Sequence, residues 1–207
     1  MTNFLFIRHA AHDYLGRAMA GRLPGVHLND LGRAQARHLG EKLSLLPIDA
    51  VFSGPLERAR ETAEPIGHRL DVPVHVVEEF TEIAVGEWTD RAFSDLPSEP
   101  RWSHFNSFRS STAPPRGELM LEVQVRVIRK LYELRDRHQF VVIVTHGDVI
   151  RSVLAHFLGV HLDLFQRIEI DPGSLSLFEL GDNFVRVRLM NAPSSGSPLE
   201  LSPVRHQ

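Results

Sequence analysis

Two short apolar runs, each ending in a histidine, constrain this chain most. Phe4-Leu5-Phe6-Ile7 runs into Arg8-His9-Ala10, and Val141-Val142-Ile143-Val144 runs into Thr145-His146-Gly147. Runs that are apolar at every position suit central parallel strands, because such strands are covered on both faces. In an open α/β sheet the crevice beyond the carboxyl ends of the strands is where ligands bind. Two histidines delivered there, one beside an arginine and one beside a glycine that opens a helix, point to an anion site.

The rest of the chain alternates strand and helix. A Gly-rich loop, Gly16 to Gly25, follows the first strand, and Asn29 or Asp30 caps a helix whose Leu39, Leu43 and Leu46 share a face. Asp49–Ser53 reads as a second strand, with Pro55 starting the next helix, and Val74–Val77 as a third. A long helix from Glu118 to His138 is expected to turn Leu121, Val125, Ile128 and Leu131 inward; a helix with Ile150, Val153, Leu154 and Phe157 follows the second histidine. Leu175–Leu180 and Phe184–Leu189 flank Gly181-Asp182-Asn183, a hairpin signal expected to be antiparallel at one sheet edge. The expected architecture is a three-layer α/β/α sandwich with a mostly parallel central sheet and an antiparallel edge strand. Residues 1–192 are expected to form one domain, with 81–117 covering the crevice and 193–207 a mobile tail.

Composition narrows the function. The chain has 207 residues, a net charge of -3 with both signs interspersed, and no cysteine. These values argue against a nucleic-acid or membrane partner, a disulfide framework and a cysteine nucleophile. No stretch reads as a signal peptide or membrane span, so a cytoplasmic location is expected.

A phosphoryl site needs fixed cations, N–H groups at a helix start, a nucleophile and a proton donor for the leaving oxygen. Arg8 beside His9, Arg58 in the helix after Ser53, and His146-Gly147 entering a further helix supply these groups after strands expected to be central.

With these residues the chain resembles the histidine phosphatase superfamily, the group that includes cofactor-dependent phosphoglycerate mutases and many small bacterial phosphatases. Leu5–Ala10 resembles the Arg-His-Gly strand end, and Leu28–Ala36 the helix start containing Gly32, Gln35 and Ala36. Ser53–Ala63 is similar to the arginine segment, Glu82–Trp88 to the acidic segment and Thr145–Arg151 to the second-histidine segment. The resemblance implies a phosphoglycerate mutase-like fold, no metal and no cofactor, and a small phosphomonoester as substrate. It implies that His9 is the nucleophile, that Arg8, Arg58, His146 and Gly147 bind the phosphate, and that Glu82 is the general acid. The proton donor's role requires a raised pKa, which burial near Trp88 supplies and the neighbouring cations oppose.

Two positions depart from the pattern. Ala10 stands where the family usually has glycine. The loop Ala10–Gly16 lacks the asparagine that many members place about six residues after the histidine, leaving Arg17, Arg22 and His12 as candidate replacements. Arg109 and Arg116 read as solvated charges ahead of ligands for a second anionic group of the substrate, and Trp88 and Trp102 as packing residues ahead of substrate stackers. Three rival readings remain: a phosphoglycerate mutase-type transferase, a catalytically inactive phosphate-binding module, and a metal hydrolase prompted by His9, His12 and Asp13. The first is disfavoured by the length of known mutases and their different acidic segment. The second is disfavoured by competent residues at every main position, and the third by a spacing that does not put three ligands on one face. The terminal hairpin's edge leaves a homodimer open.

Overall fold

The computed structural model describes residues 1–195. Six strands, β1 (Thr2–Arg8), β2 (Ala50–Ser53), β3 (Val74–Val76), β4 (Phe140–Thr145), β5 (Leu175–Leu180) and β6 (Val185–Ala192), form one sheet in the order β3-β2-β4-β1-β5-β6. β3, β2, β4 and β1 run parallel, while β5 is antiparallel to β1 and β6 to β5. The hairpin is as expected, with β6 at one edge of the sheet and β5 inside it against β1, while β3 forms the other edge.

Alternation along β1 divides the core. Phe4 and Phe6 face a layer formed by α4 (Met120–Arg135) and α5 (Gly147–Leu158), with Phe178 stacked 5.6 Å from Phe6. Leu5 and Ile7 face the opposite layer, α1 (Asp30–Leu43) and α2 (Glu57–Leu70), through Leu39, Leu43, Ala59, Ala63 and Ile66. Burial on both sides is why Phe4–Ile7 of β1 and Phe140–Val144 of β4 are apolar at every position.

Several boundaries and faces differ from expectation. Asn29, not Asp30, caps α1, its side chain accepting from the Gly32 N–H at 2.9 Å; Leu46 lies beyond the helix end, half-buried against the same core. α2 begins at Glu57, because Pro55 and the extended Leu56 form the turn before it. α4 is shorter than 118–138 and turns Met120, Val123, Val127, Leu131 and Leu134 inward, leaving Leu121 and Val125 exposed. The helix carries two apolar stripes at helical spacing, and only packing against the sheet chooses between them. In α5 Ile150, Val153 and Leu154 are buried, with Phe157 against Phe178.

Between β3 and α4 the chain forms 3₁₀ turns and one short helix, α3 (Trp102–Ser107). Trp88 is buried edge-on against Trp102 and Phe105, fastening this segment to the α4–α5 layer. Of the expected tail, Pro193 and Ser195 offer backbone oxygens to Lys42, at 3.0 and 3.5 Å; residues 196–207 lie outside the described residues. Among the described residues no helix is long and apolar enough to cross a membrane.

Candidate active site

Parallel register brings the two histidines together. Arg8 pairs with Thr145 across β1 and β4, so the next residues, His9 and His146, leave adjacent strand ends with ring centroids 5.1 Å apart. Both rings are buried. The turn after β1 is tied to both helices of one layer. Thr62 of α2 accepts the Ala10 N–H at 3.0 Å and donates to the Arg58 carbonyl one turn back, while Gln35 of α1 accepts the Ala11 N–H at 3.0 Å. Both residues stand in the motifs quoted above, but no role was read for them; their spacing to Arg58 and to the Asn29 cap was the available signal.

The tautomer of His9 follows from its surroundings. Nδ1 lies 3.0 Å from the Ala10 carbonyl, which can only accept, so the proton sits on Nδ1 and the Nε2 lone pair is free. Burial, then Arg58, then Arg8, hold the pKa well below that of an ordinary histidine, so the ring is neutral at pH 7. His146 is neutral for the same leading causes, burial and then Arg58. His12 lies 4.9 Å from His9 and is pushed down to about 4, by burial first and then by Arg58 and Arg8. Its Nδ1 accepts the Tyr14 N–H at 3.2 Å, so Nε2 carries the proton and is a donor.

Around these rings lie donors with nothing to donate to. Arg58 is buried near the start of α2; its Nη2 donates to the Gly21 carbonyl at 2.7 Å, but Nε and Nη1 have no partner. Arg8 donates from Nη1 to the Ile170 carbonyl at 2.6 Å, and its buried Nε is unpaired, as are both ring nitrogens of His146. The three guanidinium nitrogens and the one protonated nitrogen of neutral His146 are costly to leave unpaired, since each forfeits on the order of 1–3 kcal/mol until an acceptor arrives. Gly147 opens α5, whose first-turn N–H groups add to the positive potential. Arg8, His9, His12, Arg58, Glu82 and Gly147 line one cleft of about 340 Å³.

Glu82 enters from the far side. Its Oε2 is 3.9 Å from His146 Nδ1, and Oε1 accepts the Ile83 N–H at 2.9 Å. Burial, and next the charge of Asp148, raise its pKa to about 7, against the opposing pull of Arg58 and Arg8. Asp148 itself stays ionised: burial would lift its pKa, but Arg109 and Arg151 outweigh it.

The remaining expected residues divide. His12 lines the cleft; Arg17 and Arg22 are exposed and do not. Arg22 instead donates from Nε to the Glu82 carbonyl at 2.7 Å and pairs with Glu118. Arg116 is exposed beside Glu87, as expected of a solvated charge. Arg109 is not solvated. It is 4 % exposed, stacked 3.8 Å over Phe105, and bonded to Asp148 at 3.2 Å and to Asn106 at 2.9 Å. With Trp102, Phe93, Arg151 and Gln166 it forms the outer wall of the cleft. Asp13 faces away, accepting from Asn29, and no group of three His, Asp or Glu side chains among the described residues could hold a metal ion.

Comparison with known proteins gives a consistent result. The profile of the histidine phosphatase superfamily (branch 1) matches residues 4–193. Phosphoserine phosphatase 1 of Hydrogenobacter thermophilus is 29 % identical, over 87 % of this chain and 87 % of its own. The adenosylcobalamin/alpha-ribazole phosphatase of Escherichia coli is 26 % identical, over 80 % of this chain and 83 % of its own. Among solved structures, YhfR of Bacillus stearothermophilus superposes with a TM-score of 0.86 at 27 % identity, covering 93 % of this chain and 98 % of that one. The fold, the match along nearly the whole chain and the relatives agree: this chain is a phosphatase belonging to branch 1 of the histidine phosphatase superfamily.

Proposed function

We propose that the chain is a metal-independent phosphomonoester hydrolase that works through a phosphohistidine at His9 and acts on a small phosphorylated metabolite. The observation that carries this reading is the set of unpaired buried nitrogens on Arg8, Arg58 and His146 beside a histidine whose free nitrogen is Nε2. The phosphoryl oxygens take the free guanidinium N–H groups and the one ring N–H of neutral His146, and the two guanidinium groups supply the positive charge. His9 Nε2 attacks phosphorus as the bond to the leaving oxygen breaks, and Glu82 gives its proton to that oxygen so that a neutral alcohol departs. The charge left on the imidazole is steadied by the Nδ1 hydrogen bond to Ala10. Water then attacks phosphorus, Glu82 takes back a proton, and breaking of the P–N bond releases phosphate and neutral His9. Gly147 offers a backbone donor to the same oxygens. The Nε2–H of His12 stands in for the family's asparagine, whereas Arg17 and Arg22, outside the cleft, do not.

The outer wall, with Phe93 and Trp102 beside Asn106 and Gln166, suits a leaving group that is partly apolar and partly hydrogen-bonding. The test is hydrolysis of an aryl phosphate by the intact protein and by His9→Ala, both in excess chelator. Turnover that survives chelation and vanishes in the variant is expected; equal turnover in both overturns the proposal.

A further inference from the structure

The segment that carries Glu82 has little regular structure of its own: a 3₁₀ turn at Glu78–Phe80, the extended Thr81, and another 3₁₀ turn at Gly86–Trp88. A loop of this kind is a poor platform for a group that must meet a leaving oxygen to within a few tenths of an ångström. What fixes it is a set of side chains outside the cleft. Arg126 of α4 spreads one guanidinium over three carbonyls: Nη1 donates to Glu79, and Nη2 to Thr81 at 2.8 Å and Glu82 at 3.4 Å. Arg22, from the loop after β1, donates to the same Glu82 carbonyl from the other side at 2.7 Å. Glu118 joins the two arginines, with Oε1 3.2 Å from Arg126 Nε and Oε2 2.6 Å from Arg22 Nη2, and Oε2 also accepts the Ala84 N–H at 3.3 Å.

Backbone contact completes the clamp. The Glu118 N–H donates to Ala84 at 2.8 Å, and Glu87 donates to Pro115 at 3.0 Å. Both contacts depend on glycine. A Cβ on Gly117 would fall 2.5 Å from the Ala84 oxygen; one on Gly86, whose φ is +54°, would fall 2.1 Å from the Pro115 oxygen. None of Glu118, Arg126 or the two glycines lines the cleft, so substrate binding does not account for them.

We infer that Glu118 and Arg126 are positioning residues for the reaction: by fixing the carbonyls on either side of Glu82, they hold its carboxyl at the leaving oxygen. The inference rests on Glu82 being the proton donor, and it predicts a defect that depends on the leaving group. An alkyl phosphate needs the proton; 2,4-dinitrophenyl phosphate, whose phenolate is stable without it, does not.

The experiment measures kcat/KM, which covers the reaction only up to release of the leaving group and so excludes the phosphohistidine hydrolysis that Glu82 also serves, for both substrates in the intact protein, Glu82→Gln, Glu118→Gln and Arg126→Lys. For Glu82→Gln the alkyl-to-aryl ratio of kcat/KM is expected to fall by the 10²–10⁴-fold attributed to a general acid, and for the two clamp variants by about 10-fold or more, with dinitrophenyl kcat/KM within about threefold of the intact protein. A misfolded variant lowers both substrates together, so the ratio isolates positioning from folding. If Glu82→Gln changes the ratio and the clamp variants do not, or lower both substrates equally, the clamp inference is overturned while the role of Glu82 stands. If Glu82→Gln leaves the ratio unchanged, the proton-donor reading fails and takes this inference with it.

Discussion

Replacing Glu82 by glutamine should stabilise the protein as it disables it, and the size of the gain follows from the site. The carboxyl is held neutral up to about pH 7 chiefly by burial, whereas in an unfolded chain it ionises near 4.5. A folded pKa above the unfolded one gives a contribution that is complete below pH 4.5 and is lost as pH rises through about 7. At about 1.4 kcal/mol per pH unit, that interval is worth about 3 kcal/mol. Glutamine keeps the carbonyl that accepts from the Ile83 N–H and never acquires the buried negative charge. Urea denaturation of the intact protein and of Glu82→Gln at pH 5 and pH 8.5 tests this, because subtracting one from the other removes the contributions of all other groups. Because the unfolded carboxyl is already mostly ionised at pH 5, the variant should gain about 2.5 kcal/mol relative to the intact protein between the two pH values, about 5–10 °C in melting temperature for a chain of this size. The same variant should lose 10²–10⁴-fold in kcat on an alkyl phosphate. A stability difference that is the same at both pH values, or that moves against the variant at high pH, would refute the reasoning.

The other predictions concern His12 and Arg58 in the cleft and the packing behind the loop after β1. His12 is held down at about 4, below its unfolded value, so the stability it contributes is complete above pH 6.5 and is lost as pH falls towards 4; His12→Asn should flatten that acid limb in urea titrations, and an unchanged limb would count against it. In kinetics His12→Ala should lower kcat/KM by about 10- to 100-fold, the worth of one donor to a charged oxygen, while His12→Asn retains most of it. Arg58→Lys keeps the charge but loses the planar fork with its unpaired Nε and Nη1, and kcat should fall about 10²-fold, as for loss of a transition-state donor. A Cβ on Gly32 would lie 2.0 Å from the Ala11 oxygen, so Gly32→Ala should cost about 1–3 kcal/mol in thermal or urea unfolding, with activity falling as the loop after His9 shifts.

The inner site was legible in the sequence because the rules that build it are local and short. An apolar run that ends in a histidine is a central strand with that histidine at its carboxyl end, and two such strands in parallel register leave no freedom in where His9 and His146 meet. The outer wall was not legible. A charged residue is solvated by default, so Arg109 read as a surface charge; its burial depends on Asp148, 39 residues away, and on the ring of Phe105 beneath it. The same holds for Arg126 and Glu118, which bond to backbone between 34 and 47 residues distant and carry no periodic signature. The inward face of α4 was misread because Leu121–Val125 and Met120–Val123–Val127 both fit helical spacing, and the choice between them is made by the sheet. Arg22 was one of three candidates to replace the missing asparagine in the loop after His9, whereas its hydrogen bonds go to the Glu82 carbonyl and Glu118.

The central claim is covalent chemistry at one nitrogen. Rapid acid-free quenching of the intact protein during turnover of a ³²P-labelled phosphomonoester, followed by digestion and mass spectrometry, tests it most directly. A phosphoryl group that is stable to alkali, labile to acid, located on His9 and absent from His9→Ala is the predicted result. A labelled residue other than His9, or full turnover by His9→Ala, would contradict the account.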